Sequence, residues 1–180
     1  MKKKALLCAV AVVLVLCCAI GGTLAWLTDK TEPVKNTFTV GDISIELKEA
    51  TKGYKMVPGN TIAKDPKVTV KAGSEACWLF VKVEKSANLD SFISYTIAEG
   101  WTPLTGVDGV YYREVDAAAA KAGMMYSVLA NDRVTVRDTV TKADMNGLTA
   151  ETYPTLTFTA YAVQKDNIAD AATAWAKTGN

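Results

Sequence analysis

The alternation of apolar and polar side chains with a period of two constrains the fold of this chain more than any other feature. Residues 133–140 place Val134, Val136 and Val140 on one side and polar residues on the other. Successive side chains of a β-strand point to opposite faces of the sheet, so this run predicts a strand with one buried and one solvated face. The same pattern recurs along the chain and predicts an all-β domain.

Two longer segments extend this prediction to the centre of the fold. Residues 154–164 are expected to form an inner strand, with an apolar face made of Leu156, Phe158, Ala160 and Ala162. Cys77–Lys85 is apolar on both faces at its start, which is typical of a central strand and places Cys77 in the core. In residues 36–47 the apolar positions change parity near Gly41, which predicts a bulge or bend.

Shorter strands are expected over residues 67–71, residues 92–97 and Val110–Val115. Turn signals occur between the strands at Pro58-Gly59, Asp108-Gly109 and Asn146-Gly147. About seven strands with these spacings favour an antiparallel β-sandwich.

Two short helical insertions interrupt the strand pattern. Asp116 can cap a helix over Ala117–Ala122, and Gly123 ends it. A C-terminal helix that packs one face on the sandwich is predicted by an apolar stripe at helical spacing, formed by Ile168, Ala171, Ala172 and Trp175.

The N-terminus has the organisation of an export signal. Three lysines precede an apolar run over residues 5–20, and the small residues Thr23 and Ala25 fit the positions that a signal peptidase reads before Trp26. Residues 1–25 are therefore expected to be a cleavable signal peptide. An uncleaved membrane anchor is the alternative, because the apolar run approaches the roughly 20 residues that span a bilayer. Lipidation at Cys17 or Cys18 is disfavoured, because the preceding residues are not small.

Composition excludes many catalytic designs. The chain has no histidine, which removes imidazole general bases, Ser-His-Asp and Cys-His nucleophiles, and HExxH zinc sites. Beyond residue 25, Cys77 is the sole cysteine, so the mature chain cannot form an internal disulfide. Basic and acidic residues nearly balance, which argues against nucleic-acid binding. We therefore expect a non-enzymatic protein without a cofactor.

Acidic side chains give no recognised metal motif. Asp42, Glu46, Glu84 and Asp90 are scattered along the chain without the spacing of a calcium loop. Carboxylates brought together by folding leave a calcium site or a glycosidase pair open, although solvated strand faces account for these charges.

Residues 26–35 begin apolar with Trp26 and Leu27 and then become polar. Pro33 lacks a backbone N–H and separates this segment from the strand expected to start near Asn36. On these residues alone a frayed terminus is the favoured interpretation, and a detached arm that pairs elsewhere is the alternative.

Seven short segments form a recognisable set: TLAWLTD (residues 23–29), NTFTVG (36–41), ISIEL (43–47), VPG (57–59), KDPKVTV (64–70), AYAVQ (160–164) and AATAW (171–175). Together they resemble the TasA/camelysin family of secreted Gram-positive proteins. The resemblance covers both ends of the mature chain, whereas residues 85–150 match less distinctly.

The resemblance implies a jelly-roll-like sandwich over residues 36–180 and a role as a biofilm-matrix fibre subunit outside the cell. It also implies cleavage by a SipW-type signal peptidase, and contact with the membrane only before cleavage. The released residues 26–35 would act as a donor arm in a neighbouring copy of the chain or in a related matrix subunit, which is donor-strand complementation. The arm residues expected to contact the neighbour are Trp26, Leu27, Thr28 and Val34.

Two other functions are alternatives to this one. Some camelysin-like proteins carry a metallopeptidase label, but a chain with no histidine and no cysteine cluster lacks the usual ligands of catalytic zinc. A monomeric adhesin or glycan-binding module is the second alternative, with Trp101, Tyr111 or Tyr112 as a stacking platform. These aromatic residues are expected to lie in the core more often than on the surface.

Overall fold

The computed structural model describes residues 42–50 and 54–179, which belong to the compact unit Val40–Asn180. Within these residues the fold is mostly antiparallel β-sheet. The strands are β1 (Ile45–Lys48), β2 (Thr61–Ala63), β3 (Lys67–Val70), β4 (Cys77–Lys85), β5 (Ile93–Ser94), β6 (Thr102–Pro103), β7 (Val110–Val115), β8 (Met124–Ser127), β9 (Arg133–Val136) and β10 (Leu156–Gln164). The helices are α1 (Leu89–Phe92), α2 (Ala117–Ala122), α3 (Lys142–Asn146) and α4 (Ala171–Ala176), with a 3₁₀ turn at Ala130–Asp132. The all-β expectation is confirmed.

The described strands form three sheets. Their orders are β1-β3-β8, β10-β4-β7-β6 and β2-β9-β5. The prediction that Cys77–Lys85 is a central strand is confirmed, because β4 pairs with β10 on one side and with β7 on the other.

The two faces of β4 belong to different hydrophobic cores. Leu79 and Val81 pack with Val68 and Val70 of β3 in the first core. Trp78 and Phe80 point the other way and pack in a second core that includes Ala174 and Trp175 of α4. A third core surrounds β9 and α1, and its members include Leu89, Leu129 and Val136. Burial on both faces explains why the sequence of β4 does not alternate.

Two predicted strands are shorter by four residues in the structure. β9 ends at Val136, because the chain turns at Arg137 and the Val140 N–H donates to the Arg137 carbonyl oxygen at 3.3 Å. Val140 is nevertheless buried, in the third core. In residues 92–97 only Ile93–Ser94 forms a strand, since Phe92 ends α1.

The prediction that residues 154–164 form an inner strand is wrong for the described part of the chain. There, β10 lies at the end of its sheet and pairs with β4 alone, over nine residue pairs. The Lys165 N–H donates to Ala76 O at 2.9 Å, and the Ser86 N–H donates to Thr155 O at 3.0 Å. Bonded pairs alternate along an antiparallel ladder, so the backbone N–H and C=O groups of even-numbered residues 156–164 point away from β4.

The predicted helix over Ala117–Ala122 is confirmed, including its cap. The Asp116 carboxylate accepts a hydrogen bond from the Ala119 N–H at 2.8 Å. Gly123 ends the helix with φ +80°, and a Cβ at this position would lie 2.8 Å from the Ala72 nitrogen. Glycine is therefore required here for both its conformation and its size.

The C-terminal helix is present but shorter than predicted. It begins at Ala171, with Asp170 as its cap, so Ile168 precedes it. Its buried residues are Ala171, Ala174 and Trp175, whereas Ala172 is exposed. The core therefore lies on the side of Ala174, which flanks Ala171 and Trp175 on the helix surface opposite to Ala172.

Candidate functional site

A groove of about 790 Å³ lies beside the start of β10 and is a candidate binding feature of the described residues. Most of its wall is apolar and comes from several segments that are far apart in the sequence. The apolar lining includes Met56, Ile62, Leu89, Met145, Leu148 and Leu156. The unbranched, flexible side chains of Met56 and Met145 can adapt to the shape of an apolar partner.

A polar cluster forms part of the same groove wall. The Lys64 ammonium lies 2.7 Å from Glu49 Oε1, and the Tyr54 hydroxyl donates to the same oxygen at 2.7 Å. The side chains of Lys64 and Glu49 are only 11% and 16% exposed. Because a charge removed from water needs a partner, the two groups stabilise each other in this position.

Aromatic rings surround the ammonium group. Lys64 Nζ lies 5.2 Å from the ring centre of Tyr54 and 5.4 Å from that of Phe158. Burial raises the pKa of Tyr54, and its hydrogen bond to Glu49 and the charges of Glu49 and Asp65 raise it further. The phenol is therefore protonated at neutral pH and acts as a hydrogen-bond donor.

The predicted signal and arm residues lie outside the described residues. These are Thr23, Ala25, Trp26, Leu27, Thr28 and Val34. The same holds for the expected bend at Gly41 and for the start of the strand predicted over residues 36–47.

The three aromatic residues considered for a glycan platform do not share one surface. Trp101 is 7% exposed, and its indole N–H donates to the Ser127 carbonyl oxygen at 2.9 Å. Tyr112 lies on the opposite face of β7 from Tyr111 and packs 5.9 Å from the ring of Trp78. The expectation that Trp101 lies in the core is confirmed.

Trp101 and Tyr111 nevertheless line a common cleft of about 530 Å³. The Asp90 carboxylate pairs with Lys85 at this cleft, and the Asp90 carbonyl oxygen accepts a hydrogen bond from Arg137 Nε at 2.6 Å. The cleft therefore combines aromatic side chains with charged groups.

The acidic residues singled out in the sequence are dispersed in the structure. Glu46 pairs with Lys48 at 2.9 Å, and Glu84 pairs with Lys82 at 3.1 Å. Within residues 42–50 and 54–179, no group of three or more His, Cys, Asp or Glu side chains could hold a metal ion.

Cys77 is fully buried, as its strand position predicts. Burial raises the pKa of its thiol to about 11. Because the thiolate is the reactive form, this cysteine is chemically inert in the folded protein.

Sequence reasoning missed the cluster of Glu49, Tyr54 and Lys64. Glu49 follows one strand and Lys64 another, and no local spacing links them. Arg113 was also missed, although the alternation in β7 places it between Tyr111 and Val115 on an otherwise apolar face. A cation at such a position was the available signal.

Among the helices of the described residues, none is both long and apolar enough to cross a membrane. In the comparisons with known proteins, no family model, curated protein or solved structure matches this chain.

Proposed function

We propose that this chain is a secreted, non-enzymatic matrix subunit that assembles head-to-tail by donor-strand addition. Residues 26–35 of one copy, released by signal cleavage before Trp26, pair with the outer edge of β10 in the next copy. The observation that carries the proposal is the edge of β10, whose backbone groups have no strand partner on that side among the described residues.

The dimensions of arm and edge support this pairing. Ten residues in an extended strand span about 33 Å, and the nine residues of β10 offer an edge of nearly the same length. Outward-pointing N–H and C=O groups at residues 156, 158, 160, 162 and 164 would bond the incoming backbone.

The groove supports an anchoring role for the apolar start of the arm. Leu156 belongs both to β10 and to the groove wall, so a strand added along β10 ends at the groove. Trp26 and Leu27 would enter the apolar part, between Met145, Leu148 and Leu156. Their burial would supply affinity, and the backbone pairing would set the register.

This contact uses different surfaces on the two partners. A heterologous contact that does not close into a ring propagates as a filament. Signal cleavage then controls assembly, because the arm has a free N-terminus only after Ala25 is separated from Trp26. The proposed fold is a jelly-roll-like sandwich, and the three antiparallel sheets of the described residues are compatible with it.

Truncation tests the donor arm. The mature protein, residues 26–180, is expected to form fibres visible by electron microscopy, and a protein starting at residue 36 is expected to stay monomeric. A synthetic peptide of residues 26–35 should bind the truncated protein and raise its melting temperature, because a ligand of the folded state stabilises it. A peptide with the same residues in scrambled order is the control. Fibres from the truncated protein would refute the proposal.

A point variant tests the edge itself. Ala160→Pro removes an outward N–H of β10 and is expected to abolish fibres, while the bonds from β10 to β4 remain. Ala160→Ser keeps the N–H and serves as the control. Unchanged fibres from a folded Ala160→Pro protein would exclude β10 as the acceptor.

A monomeric glycan-binding module is a second candidate, favoured by the cleft that Trp101 and Tyr111 share. It predicts a mature protein that remains monomeric by light scattering at high concentration. It also predicts saturable oligosaccharide binding that Tyr111→Ala weakens.

A further inference from the structure

Arg113 extends from β7 between two aromatic rings. Its guanidinium carbon lies 4.1 Å from the ring centre of Tyr126 and 5.2 Å from that of Trp101. Both distances are within the range of favourable cation–π contact. The guanidinium also covers Gly100, where a Cβ would lie 2.3 Å from Arg113 Nη2.

The surroundings of Arg113 hold it in one place. The indole of Trp101 is fixed by its hydrogen bond to Ser127, and Tyr126 belongs to β8, which pairs with β3. Gly100 has φ +85°, a conformation that suits glycine, and the lack of a side chain there admits the guanidinium. The side chain is therefore pre-organised, with little rotamer freedom left to lose on binding.

The described residues supply no carboxylate to this cation. The ion pairs of this part of the chain involve lysines, and none includes Arg113. Arg133 and Arg137 each donate an Nε–H to a backbone carbonyl oxygen, at 3.2 Å and 2.6 Å. Among the described residues Arg113 has no such hydrogen bond, and its guanidinium contacts the two aromatic rings and Gly100. Partial burial lowers the pKa of the guanidinium, yet arginine remains charged at neutral pH.

We propose that Arg113, clamped by Trp101 and Tyr126, is the anchor of an oxyanion-binding site. A guanidinium carries five N–H donors in a planar fork, which matches the oxygen pairs of carboxylate, sulfate and phosphate groups. A half-buried charge that has no ion-pair partner among the described residues is costly, and an incoming oxyanion would reduce that cost. The ligand is an oxyanion group, either as a free ion or as the acid group of a sugar.

The proposal is tested by titration of the mature protein with sodium sulfate, sodium phosphate and sodium glucuronate. Sodium chloride at matched ionic strength corrects for screening, and glucose controls for the neutral sugar. Tryptophan fluorescence is a direct readout because Trp101 contacts the guanidinium, and thermal shift provides a second one.

Arg113→Gln removes the charge and is expected to weaken binding at least tenfold. Arg133→Gln removes an exposed arginine and is the matched control, expected to bind as the parent does. Arg113→Lys, which keeps a charge but loses the planar fork, should bind more weakly than the parent. Circular dichroism establishes that each variant is folded.

The outcomes are distinct. A saturable response to sulfate and glucuronate that Arg113→Gln removes supports an oxyanion site, and a response to glucuronate alone assigns the site to acidic sugars. A parent protein with no saturable response above sodium chloride, or an equal response in Arg113→Gln, would overturn the proposal and leave Arg113 with a packing role only. Fibre formation is not part of the readout, so the result is independent of the donor arm.

Discussion

Replacing Lys64 by methionine is expected to destabilise the protein through the carboxylate that the change leaves behind. Methionine has a similar length and keeps the apolar contacts of the stem, but Glu49 loses its ammonium partner at 2.7 Å. Within the described residues the Tyr54 hydroxyl is then the remaining side-chain donor to Glu49 Oε1.

The magnitude follows from the burial of the pair. Removing one partner of a fully buried ion pair costs about 3–5 kcal/mol. With side-chain exposures of 11% and 16%, some water still reaches the pair, so we expect the free energy of unfolding to fall by roughly 1–3 kcal/mol. The double variant Lys64→Met with Glu49→Leu should recover most of this loss, because neither charge then remains unpaired.

Urea unfolding of the mature protein measures these differences, at a concentration where light scattering shows monomers. Lys82→Met is the matched control: Lys82 pairs with Glu84 at 3.1 Å, but the two side chains are 33% and 53% exposed. This exposed pair should contribute about 0–1 kcal/mol. The reasoning would be refuted if Lys64→Met lowered the free energy of unfolding by no more than Lys82→Met does. It would also be refuted if the loss in the double variant equalled the sum of the losses in Lys64→Met and Glu49→Leu alone.

Three further predictions concern the core, one helix cap and the thiol. Trp175→Ala removes a ring packed 5.3 Å from that of Phe80 and should lower the free energy of unfolding by about 3–5 kcal/mol in urea titrations; a loss below about 1 kcal/mol would contradict this. Hydrogen bonds from Thr141 lower the pKa of the Asp144 carboxyl group. The carboxylate therefore adds to the free energy of unfolding above the ordinary carboxyl pKa, and this contribution is lost as the pH falls through the lowered pKa. The melting temperature of the parent should therefore exceed that of Asp144→Asn at pH 7, and an equal difference in strong acid would contradict the assignment. Cys77, whose pKa is raised to about 11, should react with a thiol reagent at pH 8 only in denaturant, and rapid labelling of the folded protein would contradict its burial.

The elements predicted well from sequence are those whose signal lies within one short segment. Val110–Val115 has the predicted bounds, and Ala117–Ala122 lies between a capping aspartate and a terminating glycine. Cys77–Lys85 was recognisable as central because both of its faces are apolar. The local sequence pattern is sufficient for these segments, because the burial of each side chain follows from its position within the helix or strand.

The elements that were missed depend on distant partners. Thr61–Ala63 is a strand because it pairs with β9, and Met124–Ser127 because it pairs with β3. Met124 and Met125 are adjacent apolar residues that are both exposed, so the sequence of this strand does not alternate between apolar and polar residues. The end position of β10 was equally hidden, because its residues are partly buried on both faces although it pairs with one strand.

The groove could not be predicted for the same reason. Its wall combines segments that are far apart in sequence, such as Ile62 and Met145. The pairing of Glu49 with Lys64 arises only when the ends of β1 and β2 approach each other. Arg113 differs, since its polar side chain interrupts an apolar face that the period of two identifies.

The long ladder between β4 and β10 has a mechanical consequence. A pull directed along β10 would load its nine residue pairs in shear, so that their bonds must rupture together rather than one after another. Tension would then reach β4, the strand whose two faces are embedded in separate cores. A chain of such domains would resist stretching where each molecule is packed most densely, and its loops would carry little of the load.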